Sequence, residues 1–317
     1  MTSAPHRLEG VSRSSETLRD LALARGTVAR AGARRTNPDL LPSLLKDPST
    51  RVLELSAGRA QVVDSGRDVV LLLRSPAEQD AFRLAVFLGQ DGAGAAYVGV
   101  VGEPPGPDQA SEWRTLREVG ALLPDRDAGL FATMKALAGW HASHTHCPQC
   151  GSLTVLDQSG WIRRCLQDDS EHFPRTDPAV IMAVTDAADR LLLARSPHWP
   201  EGRFSVLAGF VEPGESFEAA VAREVLEEVG LVVEQVRYLG NQPWPFPASL
   251  MVGFTARAVD PTLRLDMDEI IEARWVRREE LRALVLAGRL TLSPTVSIAR
   301  RIIEHWYGEP IELDQEG

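Results

Sequence analysis

The sequence predicts an α+β protein, with a mixed β-sheet sandwiched between helices in its C-terminal half and a smaller β-rich unit before it. Three observations support this. Residues 50–101 and 179–276 hold short apolar or alternating runs of strand length, broken by Gly, Asp and Ser. Helical spacing is concentrated in a few segments, chiefly 128–144, 217–229, 278–286 and 297–306. Between the two strand-rich regions stands Cys147-Pro-Gln-Cys150, followed at hairpin distance by Cys165. The 317 residues therefore divide into a tail (1–14), an N-terminal domain (15–140), a knuckle segment (141–176) and a C-terminal domain (177–317).

Bulk charge narrows the function classes. Acidic residues outnumber basic ones 44 to 34, a net charge of −10. That argues against a general binder of nucleic acid or membrane surfaces, which needs excess cations to neutralise phosphates, although it leaves room for gripping one end of an RNA. No apolar run approaches the roughly 18 residues of a membrane span, and the N-terminus has no apolar core of a secretory signal. Three cysteines, two of them in C-x-x-C, fit a metal site in a reducing compartment better than a disulfide framework, so a cytoplasmic location is expected.

In chain order, residues 1–14 read as a disordered Ser/Pro/Arg-rich tail, and Ser15 to Arg35 reads as helical, with seven arginines counted from Arg7. Strands are expected at Val52–Leu55, Gln61–Val63, Val69–Leu73 and Ala96–Val101, with loops around Gly92–Ala95 and Pro104–Pro107. Ala128–His144 returns to helical spacing, and Leu130, Met134, Leu137 and Trp140 form an apolar stripe suited to a core. Cys147, Cys150 and Cys165 follow the spacing of a structural zinc ribbon with an incomplete second ligand pair. Either Asp168, Asp169 or His172 completes a zinc tetrahedron, or the site has lost its metal and the knuckle is held by packing. Further strands are expected at Ala179–Val184, Leu191–Ala194, Val232–Leu239, Met251–Val259 and Ile271–Val276, with helices at Arg278–Leu286 and Ser297–Trp306.

The stretch 209–231 (GFVEPGESFEAAVAREVLEEVGL) carries the chemistry. A Gly/Pro loop leads to Ser216 as N-cap, and a helix runs from Phe217 to Val229 with Gly230 placed to stop it. Glu224, Glu227 and Glu228 sit three and four apart and project from neighbouring positions. Three close carboxylates repel one another unless a cation sits among them, and hard divalent ions favour such oxygen ligands. Arg223 is placed to pair with Glu215 and brace the loop. Further on, alternating prolines in Gln242-Pro-Trp-Pro-Phe-Pro-Ala-Ser249 stiffen that segment and present Trp244 and Phe246 as rigid aromatic surfaces.

Gly209, Glu215 and the run Arg223-Glu224-Val225-Leu226-Glu227-Glu228-Val229-Gly230-Leu231 resemble the Nudix box at every defined position. The segment Gln242–Ser249 resembles the QPWPFPxS motif of the NADH pyrophosphatase, or NAD-capped RNA hydrolase, family. The resemblance implies a Nudix fold preceded by a degenerate Nudix-like domain and a zinc ribbon, with the chain assembled as a homodimer. It implies Mg2+ or Mn2+ held by Glu224, Glu227, Glu228, the Ala208 carbonyl and Glu269, one of these acids taking the proton of the attacking water. Phe210 and, across the dimer, Phe173 would hold a base. Gln242, Pro243, Trp244, Pro245, Phe246, Pro247, Ala248 and Ser249 would line the substrate pocket, with Ala299 giving a backbone contact and Arg117 reaching in from the N-terminal domain. The family's zinc site has four cysteines, and this chain departs at the last. The implied substrates are NAD(H), cut to AMP and nicotinamide mononucleotide, and the 5′ end of NAD-capped RNA. The rival expectations are another nucleoside diphosphate derivative, such as ADP-ribose or a dinucleoside polyphosphate, and a non-enzymatic nucleotide sensor, which would need no catalytic acids.

Overall fold

A computed structural model of the chain describes residues 17–66, 68–104 and 112–311. The expected disordered tail and most of the Pro104–Pro107 loop lie outside these residues. The N-terminal sheet takes β1 (Arg51–Ser56), β2 (Arg59–Asp64), β3 (Val69–Leu71), β4 (Ala85–Gln90), β5 (Ala96–Val101) and β6 (Trp113–Thr115), in the order β3-β2-β1-β5-β4 with β6 beside β2. Its centre is the parallel pair β1 and β5. Short helices α1 (Leu40–Leu44) and α2 (Leu116–Val119) flank it, and α3 (Asp125–Ser143) buries Leu130, Met134, Leu137 and Trp140, the stripe read from the sequence. The helix sits so close that a Cβ on Gly99 of β5 would lie 2.2 Å from Met134 Sδ, which accounts for glycine in a strand interior.

Sequence reasoning missed β4. Five of its six residues are buried, so it shows no alternation, and its register shifts at Gly89, where φ is +138°. Ser15–Arg35 is corrected as well. Its described residues hold turns, an isolated bridge from Ala29 to Gln90 and a 3-10 turn at Gly32–Arg34, with no α-helix. The cause is tertiary. Leu21 is buried in the C-terminal core and Leu23 in the N-terminal one, so the segment stretches across the junction and cannot close helical turns.

The knuckle segment forms a small sheet of β7 (Thr154–Asp157), β8 (Ile162–Cys165) and β9 (Glu171–His172). Buried Arg163 ties it to α3. Its guanidinium donates to Thr154 Oγ1 (2.6 Å), the Thr154 carbonyl (2.8 Å) and His141 Nδ1 (3.1 Å), while His141 Nε2 donates to the Gly160 carbonyl (2.8 Å). Burial pushes the His141 pKa down to about 4, so the ring is neutral and can accept from Arg163.

The C-terminal sheet comprises β10 (Asp177–Thr185), β11 (Leu191–Arg195), β12 (Leu207–Phe210), β13 (Val233–Trp244), β14 (Ser249–Ala258) and β15 (Glu272–Val276), ordered β13-β14-β10-β11-β15 with β12 on β10. Like β1 and β5, the parallel pair β10 and β14 forms the centre. Alternate residues of β10 face opposite layers. Val180, Met182 and Val184 pack with α4 (Phe217–Val229) through Ala220, Val221, Val225 and Val229. Ile181 and Ala183 share a core with α5 (Arg278–Leu286) and α6 (Ile298–Tyr307), which contribute Leu281, Ile302 and Ile303. This is the expected mixed sheet between helices. No helix among the described residues is long and apolar enough to cross a membrane.

Candidate active site

Helix α4 begins where its cap chemistry predicts. Ser216 Oγ accepts from the Ala219 N–H (3.2 Å), and Gly230, with φ +70°, closes the far end with its N–H on the Leu226 carbonyl (3.0 Å). The loop ahead of it is held by Arg223. Its guanidinium grips Glu215 through Nε (2.8 Å) and Nη2 (2.9 Å), donates to the Phe210 carbonyl (2.8 Å), and bridges Glu224 (2.8 Å) and Glu227 (3.0 Å) through Nη1. Glu215 in turn accepts from the Glu212 N–H (3.1 Å). The Arg223 contact, chiefly, holds the Glu215 carboxyl below its usual range. Bidentate pairing of this kind fixes geometry as well as charge.

The acids converge from there. The Glu224 carboxylate lies so close under β12 that a Cβ on Gly209 would be 1.8 Å from its Cδ. Glu228 is 8% exposed, and its Oε2 is buried with no hydrogen-bond partner. Burial first, then the charges of Glu224, Glu269 and Glu227, push its pKa up to about 8. Burial also raises Glu224, against the opposing pull of Arg223. Glu269 arrives on a loop pinned to the end of α4. The Arg264 N–H donates to the Val229 carbonyl (2.9 Å), that of Asp266 to the Glu228 carbonyl (3.0 Å), and those of Glu269 and Ile270 to the Asp266 carbonyl. A cleft of about 340 Å³ is lined by Ala208, Glu228, Glu269, Asp268, His198 and Trp199, among others. A buried, unpartnered carboxylate oxygen among mutually repelling acids suits a divalent cation, and an all-oxygen donor set suits magnesium or manganese. His198, Trp199 and Asp268 did not stand out in the sequence. The only available signal was their position, in the loop between β11 and β12 and beside Glu269.

The proline-aromatic segment forms the end of β13 and the turn into β14, where Trp244 pairs with Ser249. Pro243, Trp244, Pro245, Ala248 and Ser249 line a second cleft, of about 400 Å³, and not the acidic one. β10 connects the two, because Ile181 pairs with Ala208 and Asp177 with Ser249. Four residues at about 3.3 Å each put them about 13 Å apart along the strand. Trp244 and Phe246 meet edge to face at 4.8 Å, and Arg117 of the N-terminal domain lies 5.1 Å and 4.2 Å from their rings. Phe173 and Phe210 are 61% and 60% exposed, as a base-holding surface would require.

Two of the expected site residues are buried. Gln242 is fully buried, with its Oε1 accepting from the Leu23 N–H (3.2 Å) and its Nε2 donating to the Val296 carbonyl (3.0 Å), so it clamps three segments together. Ala299 is buried at the start of α6, and its N–H donates to the capping Ser297 Oγ (3.2 Å).

The knuckle resolves its fourth ligand. Ligand atoms of Cys147, Cys150, Cys165 and Asp168 all lie within 4.8 Å of one another. Gln149 and Gln167 N–H groups donate to the sulfurs of Cys147 and Cys165 (3.4 Å each), and Ser170 orients Asp168 through Oγ (2.5 Å) and N–H (3.0 Å). Asp169 instead pairs with Arg164, and His172 meets Ser170. Three sulfurs and one carboxylate fit a structural zinc. A group that orients a metal ligand by hydrogen bonding is worth about tenfold or more in metal affinity, and a direct ligand no less. Asp168→Ala is therefore expected to weaken zinc retention about tenfold or more while Asp168→Cys preserves it, measured by chelator competition.

The sheet between helices, with an arginine-braced acidic helix under its β12 loop, defines a Nudix hydrolase. Residues 175–296 match the NUDIX domain, 142–173 the NADH pyrophosphatase zinc ribbon domain, and 46–140 the NADH pyrophosphatase-like rudimentary NUDIX domain. The chain is 40% identical over 299 residues to the NAD-capped RNA hydrolase NudC of Mycobacterium bovis (strain BCG / Pasteur 1173P2), covering 88% of this chain and 94% of that one. The same figures hold for the protein of that name from Mycobacterium tuberculosis (strain ATCC 25618 / H37Rv). It is also 39% identical over 196 residues to the NAD-capped RNA hydrolase NUDT12 of Homo sapiens, covering 58% of this chain and 42% of that one. The chain belongs to the NADH pyrophosphatase family of Nudix hydrolases.

Proposed function

We propose that the chain hydrolyses the diphosphate of NAD(H), giving AMP and nicotinamide mononucleotide, and removes the NAD cap from RNA 5′ ends. The carrying observation is the buried, unpartnered Glu228 carboxylate facing a cleft that it shares with Ala208 and Glu269. The family match narrows the diphosphate to that of NAD. Glu224, Glu227, Glu228, Glu269 and the Ala208 carbonyl would hold the divalent ions. These ions, when bound, supply charge neutralisation at the diphosphate and acidify a water. The chain's own residues do the rest. Arg223 holds Glu224 and Glu227 side by side on the helix that carries Glu228. Water forms a new bond to phosphorus, the bridging P–O bond breaks, and the proton passes to a carboxylate, with exposed Glu269 at the lip placed to release it to solvent.

Specificity rests with the aromatics. Trp244, braced by Phe246 and Arg117, and exposed Phe210 are surfaces for the bases, and exposed Phe173 serves the partner's site in a homodimer. The zinc-ribbon segment 141–176 and the N-terminal domain 15–140 support the catalytic domain 177–317. The three free thiols favour a cytoplasmic setting. Base stacking on an aromatic is worth about 1–3 kcal/mol, so Trp244→Ala is expected to raise KM for NADH about tenfold or more, with Trp244→Phe retaining most of the affinity. Product analysis of NADH, NAD, ADP-ribose and NAD-capped RNA, each with and without manganese, tests the whole reading. AMP from NADH and a 5′-monophosphate end from capped RNA are expected. Faster cleavage of ADP-ribose than of either would overturn the assignment.

A further inference from the structure

An acidic protein that acts on an RNA end needs local cations, and the structure gathers them in one place. Arg30, Arg34 and Arg35 form no ion pair among the described residues. Their donors go to neutral acceptors, Arg30 to Thr133 Oγ1 (3.3 Å), Arg34 to Gln90 Oε1 (2.5 Å) and Arg35 to the Arg30 carbonyl (3.0 Å). Arg35 Nε is buried with no partner at all. Aromatic pedestals hold the three guanidinium groups. Arg35 and Arg30 lie 3.6 Å and 5.3 Å from the Trp161 ring, and Arg34 lies 5.5 Å from that of Phe87. Trp161 is itself anchored by its indole N–H on the Phe87 carbonyl (2.7 Å). Burial lowers the pKa of Arg30 and Arg35, joined at Arg35 by the Arg30 charge.

This cluster adjoins the 400 Å³ cleft. Arg30 and Trp161 line it at one side, with Arg126 and Arg175 among its other cations, and Trp244 and Ser249 form the wall that faces the catalytic domain. Arg25, Arg126 and Arg175, which also line it, are each paired to an aspartate, so the uncompensated charge is that of Arg30 and the two arginines beside it.

We propose that this cleft seats the nucleotides that follow the cap in a single-stranded RNA, with their phosphodiesters against Arg30, Arg34 and Arg35. The inference rests on the NAD-cap reading above and adds to it where the body of the RNA lies. Guanidinium planes held on aromatic rings are oriented before the ligand arrives, and they match phosphate geometry bidentately. Arg34 and Arg35 do not line the cleft itself, so the cluster matters more to a chain of nucleotides than to a free dinucleotide at Trp244.

The test uses the full chain and a triple variant, Arg30→Ala, Arg34→Ala and Arg35→Ala. The probe is a single-stranded oligoribonucleotide with a 5′-monophosphate, the product of decapping, read by fluorescence anisotropy across a salt series. Hydrolysis of NADH and of NAD-capped RNA is measured alongside. The Kd for the oligonucleotide is expected to rise about tenfold or more, and the slope of log affinity on log salt to flatten by about two, from about 0.7 per lost phosphate contact. kcat/KM on capped RNA should fall in proportion and much further than that on NADH, and the triple Arg→Lys variant should keep the salt slope. Superimposable anisotropy curves would overturn the inference. So would a change in oligomeric state by sizing chromatography, which would assign the arginines to a contact between copies of this chain. Failure of the unaltered chain to hydrolyse NADH would sink the hydrolase reading instead, and the anisotropy result is independent of that outcome.

Discussion

Glu228→Gln is expected to lower turnover of NADH by about three orders of magnitude and to leave the fold intact. The amide fills the same buried space but offers no anionic oxygen. Loss of one preorganised charge-stabilising group costs about 10²–10³ in rate, and this residue stands at the centre of the acidic set. Its environment adds a stability signature opposite in sign to the activity loss. In the metal-free chain burial lifts its pKa to about 8 from the usual 4.5, so between those pH values the folded state keeps a proton that the unfolded state has released. Stability conferred by the neutral form is complete below about pH 4.5 and is lost as pH rises to 8, at a cost of a few kcal/mol for a shift of that size. Without divalent metal above pH 8, the Gln variant should therefore melt higher than the unaltered chain, and added manganese should reverse the order. A metal-free melting temperature that is flat with pH in both proteins would refute this account of Glu228.

Gly209→Ala carries the second large effect. Gly209 has no positive φ, so its backbone admits alanine, and the obstacle is the Glu224 carboxylate, 1.8 Å from the new methyl. Glu224 must move, and in moving it leaves the Arg223 Nη1 donor that aims it. Displacement of a catalytic group by about 1 Å costs on the order of 100-fold, so kcat/KM should fall by about that factor, with weakened manganese binding by isothermal titration and an unchanged circular dichroism spectrum. Retention of full activity would mean that Glu224 does not need this position.

Much of the fold and of the chemistry could be read in advance because local signals agreed. Ser216 and Gly230 bracket α4 at its observed ends, and the three-four spacing of Glu224, Glu227 and Glu228 needs no tertiary information. What could not be read depended on distant partners. The strand β4 has no alternation because both of its faces are covered. The Ser15–Arg35 segment has helical composition, yet Leu21 and Leu23 are drawn to different cores. Gln242 looks like a pocket residue within its motif, and only the fold reveals that its amide joins Leu23 to Val296. Asp168 was one of three candidates for the fourth zinc ligand until the β8–β9 turn brought its carboxylate to the sulfurs.

The packing of Trp244 and Phe246 against the N-terminal core has a consequence for how the enzyme is divided. The front half of the chain backs Trp244 and Phe246 with its core and reaches their rings with Arg117, so on the reading proposed above the aromatics that choose the nucleotide belong to the catalytic domain but take their support from its neighbour. On that reading, mutation within the rudimentary domain is expected to retune which ends are read without altering an acid of the cleft.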